Sequence, residues 1–452
     1  MEALRFIFLS GIRNGDFTNF LCKHDIKMLN IIPKINNLVC DTDDVIIKNC
    51  THHALLSYCA KRGFLIWIKY LHKNRYFWNE ETCASAARKG HLDCLIYLHE
   101  NGCPWDETVC SRAANGHLEC LKYLHENGCP WGENVCASAA EKGHLDCLKY
   151  ICEQSLAESE RSLAESEQSL AESEQSLAES EQSLAESEQS LTEGEQSLAK
   201  ISRNATIKAA KGHLDCLKYL HKNGCPWSEK ALTNAINGNH LDCLKYLHEN
   251  NCPWDIYICH NAAVHGYLDC LIYLHENGYP WDTMACTYAA NGHLDCLIYL
   301  HEQSCPWNEE ACIYAAETGH LDCLKYLIEN GCPWNEYTYH NAVKNGHLEC
   351  LIYLREQSLA KGENGYPLSE SVFYIAANGG HLECIKYLHE WSLAEGDCPW
   401  NESICNIAAT HGHLDCLKYL HENGCPWNTV ILMLLVSDYL DCIRYINENI
   451  YP

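Results

Sequence analysis

Apolar positions along the chain follow a helical period inside a recurring frame. Leu118, Leu121 and Leu124 fall three apart and Cys120 and Leu124 four apart, so one face of a helix from near His117 to Asn127 is apolar. Upstream, Val109, Cys110, Ala113 and Ala114 make an i, i+1, i+4, i+5 stripe, which predicts a second short helix. Asp106 before Glu107 supplies an N-cap and an acid at the positive helix end. Asn115-Gly116 and Gly128 supply the stops. Pro104, two residues ahead of the cap, opposes helical continuation from upstream.

The block from Gly90 to Asp106, Gly-His-Leu-Asp-Cys-Leu-Ile-Tyr-Leu-His-Glu-Asn-Gly-Cys-Pro-Trp-Asp, starts again at Gly116, Gly143, Gly212, Asn239, Gly266, Gly292, Gly319, Gly346, Gly380 and Gly412. Degenerate copies begin at Gly63 and Asp438, which makes 13 units, mostly 26 or 27 residues apart. Helices of about ten residues are marginal alone in water. Each unit must therefore bury its stripe against its neighbours, and an all-α solenoid of stacked helix–turn–helix repeats is expected. Composition agrees. Ten of 12 prolines, ten of 12 tryptophans and 27 of 32 cysteines occupy fixed slots, as copying of one module requires.

The string Ala-Ala-x-x-Gly-His-x-Glu/Asp-x-Leu-x-x-Leu-x-x-Asn-Gly resembles the helical part of the ankyrin repeat. Cys83 stands where that family has the leucine of its Thr-Pro-Leu-His box, Cys94 at its isoleucine and Cys103 at the alanine after the glycine. The resemblance covers residues 51–452 apart from inserts. It departs in two ways. The Thr-Pro pair is missing, and the unit is about six residues shorter than the roughly 33 usual in ankyrin, lacking those of the β-hairpin finger. Cys-Pro-Trp makes a tight connection instead, and such short repeats look like those of large DNA viruses of amoebae and of protists.

The resemblance implies a non-enzymatic scaffold that binds other proteins, host proteins if the chain is viral. In ankyrin relatives the two residues after Ala-Ala line the concave groove. Here they are Arg88-Lys89, Glu141-Lys142, Val264-His265, Glu317-Thr318, Lys344-Asn345 and Thr410-His411. Residues just before Ala-Ala vary too, among them Arg112, His260, Tyr288, Tyr314 and His340. Variable positions on a constant frame suit recognition. The plainer alternative is that each is merely an exposed residue.

Two chemical readings compete. His91-Leu92-Asp93-Cys94 puts imidazole and thiol three apart, in a pair that ten units repeat, so zinc is an alternative. Zinc needs four convergent ligands, however, and the replacements for this histidine, Phe64, Tyr267 and Tyr439, are aromatic, which suits packing. For catalysis, no nucleophile elbow, phosphate loop or unique acid pair departs from the repeat. No catalytic, cofactor-binding or metal-binding residue is therefore expected. The row Trp105, Trp131, Trp227, Trp254, Trp281, Trp307, Trp334, Trp400 and Trp427 is expected to cover junctions between units, a strip for binding being the alternative.

Formal charge is −27, of which residues 155–196 carry 12 glutamates against one arginine. An acidic surface opposes nucleic-acid binding. The apolar run at residues 4–9 is short and interrupted by Arg5, and no stretch approaches the roughly 20 apolar residues of a membrane span. An intracellular, cytoplasmic monomer with reduced thiols is expected. Four segments follow: 1–50, a cap, degenerate repeats or an adaptor for host ubiquitin machinery; 51–152, repeats; 153–200, an acidic Ser-Leu-Ala-Glu-Ser-Glu-Gln insert; and 201–452, repeats. The insert reads as a solvated helix or as disorder, since only one seam position per heptad is apolar, which argues against a coiled coil.

Overall fold

The computed structural model describes residues 52–131, 134–174, 203–360, 369–396, 398–427 and 439–450. The expectations for residues 1–50 lie outside them. All regular structure among the described residues is helical. Contacts divide the chain into two units, residues 1–139 with 146–157, and residues 140–145 with 158–452. The helices Val135–Glu141 and Leu145–Glu174 each run across that division.

In the first unit, Glu80–Arg88 pairs with Leu92–Glu100, and Glu107–Ala113 with Leu118–Glu126. In the second, the same pairing runs from Glu229–Asn237 with Leu241–Glu249 to Glu402–Thr410 with Leu414–Glu422. The first helix of each pair begins as the caps dictate. Asp106 Oδ1 accepts the Thr108 amide at 3.0 Å, Asp282 the Met284 amide at 2.9 Å and Asn401 the Ser403 amide at 3.0 Å. Val109, Cys110, Ala113 and Ala114 of the first stripe are wholly buried, as are Leu121 and Leu124 of the second, with Cys120 at 1% exposure. Leu118, read as part of that stripe, is only half-buried because it sits at the helix start.

Two glycines per repeat take left-handed backbone, for different reasons. After the second helix, a Cβ on Gly102 or Gly128 would meet nothing, and Arg75, Asn251 and Ser304 fill that slot elsewhere with φ of 62°, 55° and 62°. Between the two helices, a Cβ on Gly63 would stand 2.7 Å from the His91 ring of the following repeat. The close approach, and not the turn alone, reserves this position for glycine.

The connection closes through its cysteine. The Cys103 thiol donates to the Asn79 carbonyl at 3.5 Å, Cys305 to Asp282 at 3.4 Å and Cys425 to Asn401 at 3.4 Å. Each tie runs back to the N-cap of the same repeat's first helix. Where Ser-Leu-Ala replaces the stop, the second helix continues. It ends at Ala360 and Glu395 in two repeats, and residues 155–174 of the acidic insert extend the helix from Leu145 to Glu174, 30 residues against the usual nine. Leucine and alanine propagate a helix well, and in the repeat that ends at Glu395 the glycine and Cys-Pro come only after Ser-Leu-Ala, at Gly396 and Cys398-Pro399.

Candidate partner-binding face

Most repeated polar side chains are consumed by the stack itself. In most repeats the histidine that opens the second helix reaches back to the preceding repeat. His117 Nε2–H donates to the Arg88 carbonyl at 2.9 Å, His293 to Val264 at 3.0 Å, His347 to Glu317 at 3.0 Å and His413 to Asn378 at 3.0 Å. These carbonyls belong to the end of a first helix, where no intrahelical amide is available. Tyr267 does the same with its hydroxyl, donating to Asn237 at 3.4 Å, and there the close-approach glycine is replaced by Asn239.

A second histidine row, absent from the sequence reading, forms an aromatic ladder. His99 Nδ1 shares a hydrogen bond with the Tyr123 hydroxyl of the next repeat at 2.9 Å, and its ring stacks on Trp105 at 3.7 Å. His275 repeats this with Tyr299 and Trp281, His301 with Tyr326 and Trp307, and His421 with Tyr445 and Trp427. The tryptophans are half-buried, and Trp281 also meets Tyr299 edge-on at 6.2 Å, which places the indole over the junction. Tyr279 interrupts the ladder. It stands in the cysteine slot, takes the hydrogen bond of His248 at 2.6 Å and meets Trp254 at 5.0 Å, and Trp254 is 43% exposed.

The repeated His-x-x-Cys pair is thereby split. His91 Nε2 bonds the Lys61 carbonyl at 3.2 Å while Cys94 lies in the core at 1% exposure, where burial pushes its thiol up to about 11. Among the described residues no cluster of three or more histidines, cysteines or acids is placed to hold a metal ion. The zinc alternative therefore lacks convergent ligands in these repeats.

What varies lies on the outer face of the first helices. In the first unit it is charged. Arg112 pairs with Glu81 at 3.1 Å, Arg88 reaches the same carboxylate at 3.7 Å, and Lys89 is exposed. In the second unit, Glu141 pairs with Lys211 at 2.8 Å and Lys208 at 3.0 Å. Hydrogen bonds from those two ammonium groups hold its carboxyl down at about 2. Lys142, His265, Lys344 and His411 are exposed, and Val264, Glu317, His340 and Thr410 are half-buried.

Farther along the second unit the face turns aromatic. Tyr257 meets His260 at 5.6 Å, His260 meets Tyr288 at 6.0 Å and Tyr288 meets Tyr314 at 6.3 Å, so one run of rings crosses three repeats. His260 is only 7% exposed and its Nε2–H donates to Asp282 at 2.8 Å, so its ring supports the run from below. Tyr337, beside His340 at 6.4 Å, is 57% exposed and Tyr257 55%, with Met284 also on the surface. None of these three was among the sequence candidates. They occupy the third position after the tryptophan, where Glu81, Thr108, Lys230 and Glu310 show the same variability.

A family model described as ankyrin repeats (3 copies) matches residues 83–163, 204–285, 259–338, 283–364 and 339–431, more than half of the chain in total. The chain belongs to the ankyrin-repeat family. Among solved structures, this ankyrin-repeat chain is similar to the human ASB11 ankyrin repeat domain, with 23% identity over 37% of this chain and 84% of that one, at a TM-score of 0.30. It is also similar to the pentatricopeptide repeat protein PPR10 in complex with an 18-nt psaJ RNA element. That likeness has 13% identity, spans 94% of this chain and 65% of the other, and has a TM-score of 0.37. No curated protein matches the sequence. Ankyrin repeats in general bind protein partners, and proteins built from them are typically binding scaffolds.

Proposed function

We propose that this ankyrin-repeat chain is a protein-binding scaffold that recognises its partner through the outer face of the first helices. One observation carries the reading. The constant histidines, tyrosines, cysteines and tryptophans are engaged within and between repeats, and the exposed remainder of each first helix is what differs from repeat to repeat. A rigid frame that presents varied side chains recognises a partner without a large ordering cost. Arg88, Lys89, Arg112, Glu141, Lys142, Val264, His265, Tyr288, Tyr314, Glu317, His340, Lys344, Thr410 and His411 are proposed contacts, with His260 as a support.

An intracellular setting fits the same reading. No disulfide joins the cysteines of the described residues, which are almost all buried, and no described helix is long and apolar enough to cross a membrane.

Cross-linking in lysate followed by mass spectrometry tests the proposal. Cross-links to another protein should cluster on first-helix residues such as Lys89, Lys142 and Lys344. Clustering instead on second-helix lysines such as Lys122, Lys218 and Lys325 would refute the assignment of the face.

A further inference from the structure

Within the second unit, the run of rings is accompanied by one sign of charge. From Tyr257 to Lys344 the exposed or half-exposed acids of the first helices and their caps are Asp282, Glu309, Glu310, Glu317 and Glu336, against one cation, Lys344. Elsewhere on this face two carboxylates are neutralised within the protein, Glu81 by Arg88 and Arg112, and Glu141 by Lys208 and Lys211. Glu309, Glu310 and Glu317 have no such ion pair among the described residues. Beside them, Tyr257, Met284 and Tyr337 hold apolar area in solvent that stacking of the repeats leaves uncovered. Large exposed apolar side chains gathered on one face mark a contact surface more than isolated ones do.

We infer that this acidic and aromatic strip, Tyr257–Lys344, receives a basic segment of a partner protein, with arginine side chains laid on the tyrosine rings and paired with Glu310 and Glu317. The inference rests on the scaffold reading and adds the chemistry of the partner. A guanidinium is weakly hydrated, stacks on aromatic faces and takes a carboxylate in a two-pronged hydrogen bond. Tyrosine on a rigid helix adds area at little entropic cost. The protein already uses this pairing internally, where the Arg62 guanidinium lies over Tyr58 at 5.6 Å and that of Arg355 over Tyr387 at 5.7 Å.

Fluorescence anisotropy of labelled short peptides with the full chain tests it. The peptides alternate glycine with arginine, with lysine or with glutamate. The arginine peptide should bind best, the lysine peptide more weakly and the glutamate peptide not at all. The double variant Y257A/Y337A changes residues exposed enough to leave the fold intact, which circular dichroism checks. It should bind the arginine peptide at least about tenfold more weakly, the scale of a hot-spot loss. E310Q/E317Q should do the same. Equal binding by both variants and the parent would show general attraction to an acidic chain and overturn the inference. So would a native partner that cross-links at Lys344 through a segment without basic residues, although the scaffold reading would then stand.

Discussion

The imidazole of His91 stands over the α-carbon of Gly63, its Nδ1 2.7 Å from where a Cβ would lie, while its Nε2–H is bonded to the Lys61 carbonyl. One side chain thus satisfies an orphaned helix-end acceptor and fills the space that the missing side chain leaves. Other repeats copy the relation, as at Gly90 with His117 and at Gly266 with His293.

Replacing the close-approach glycine should be far costlier than replacing the other one. Gly266→Ala forces a methyl into the His293 ring on left-handed backbone, so a loss of roughly 2–4 kcal/mol is expected from overpacking and the strained φ together. Gly278→Ala meets nothing within 4 Å, so only the backbone term of about 1–2 kcal/mol remains. Hydrogen exchange resolves the two. The first variant should lose protection in Leu268–Glu276 and Leu294–Glu302, and the second should loosen only the turn. Equal effects would remove the packing argument.

Removing one rung of the ladder should be mild and local. Tyr326→Phe keeps the ring and deletes the hydroxyl that bonds His301, a change worth about 0.5–1.5 kcal/mol. Exchange should rise in Leu321–Glu329 while the first unit is unaffected, because a solenoid's energy is close to a sum over neighbouring repeats. Global unfolding at lower denaturant in one step would contradict that independence.

Tyr279→Cys should restore the standard rung. With the phenol gone, His248 is free to bond the Tyr273 hydroxyl, whose ring already meets it edge-on at 5.7 Å, and Trp254 can stack on His248. Hydroxyl-radical footprinting read by mass spectrometry should then show Trp254 oxidised more slowly, at the rate of Trp281. An unchanged rate would mean that another residue exposes this indole.

Stability should fall on both sides of neutrality. Burial lowers His117, His240 and His389 below the ordinary 6.5, with Lys89 adding to the effect at His117. The unfolded chain then binds protons first, so their contribution is present above 6.5 and lost as pH falls below it. Burial raises Cys94, Cys216 and Cys270 from 9.0 to about 11, and Cys120 and Cys296 to about 12. Here the unfolded chain releases protons first. Stability is complete below 9.0 and declines as pH climbs toward the folded values. Melting temperature against pH in reductant should be flat between these limits and drop outside them. A flat alkaline limb would show that the thiols are not buried in solution.

Helix boundaries, buried stripes and caps were legible because they depend on residues three or four apart, and Asp106, Cys110, Leu124 and Gly116 carry that information in their own spacing. The second histidine row was not read, although His99 and Tyr123 recur with their spacing nearly constant, because only the stack shows that they touch. The histidine at the head of each second helix was read as an aromatic packing element, and its ring does pack. Its bond to a carbonyl 29 residues earlier, as in His117 to Arg88, exists only once two repeats are in register. The face followed the same division. Variability marked Tyr288 and Tyr314, but the support of His260 by Asp282 and the exposure of Tyr257 and Tyr337 depend on how neighbouring first helices lie together. Sequence alone determined the repeat, its helices and which residues are copied, because those obey local periodicity. Tertiary structure decided which copied residues are spent on neighbours and which remain for a partner, because that depends on distances between segments some 25–30 residues apart in the chain.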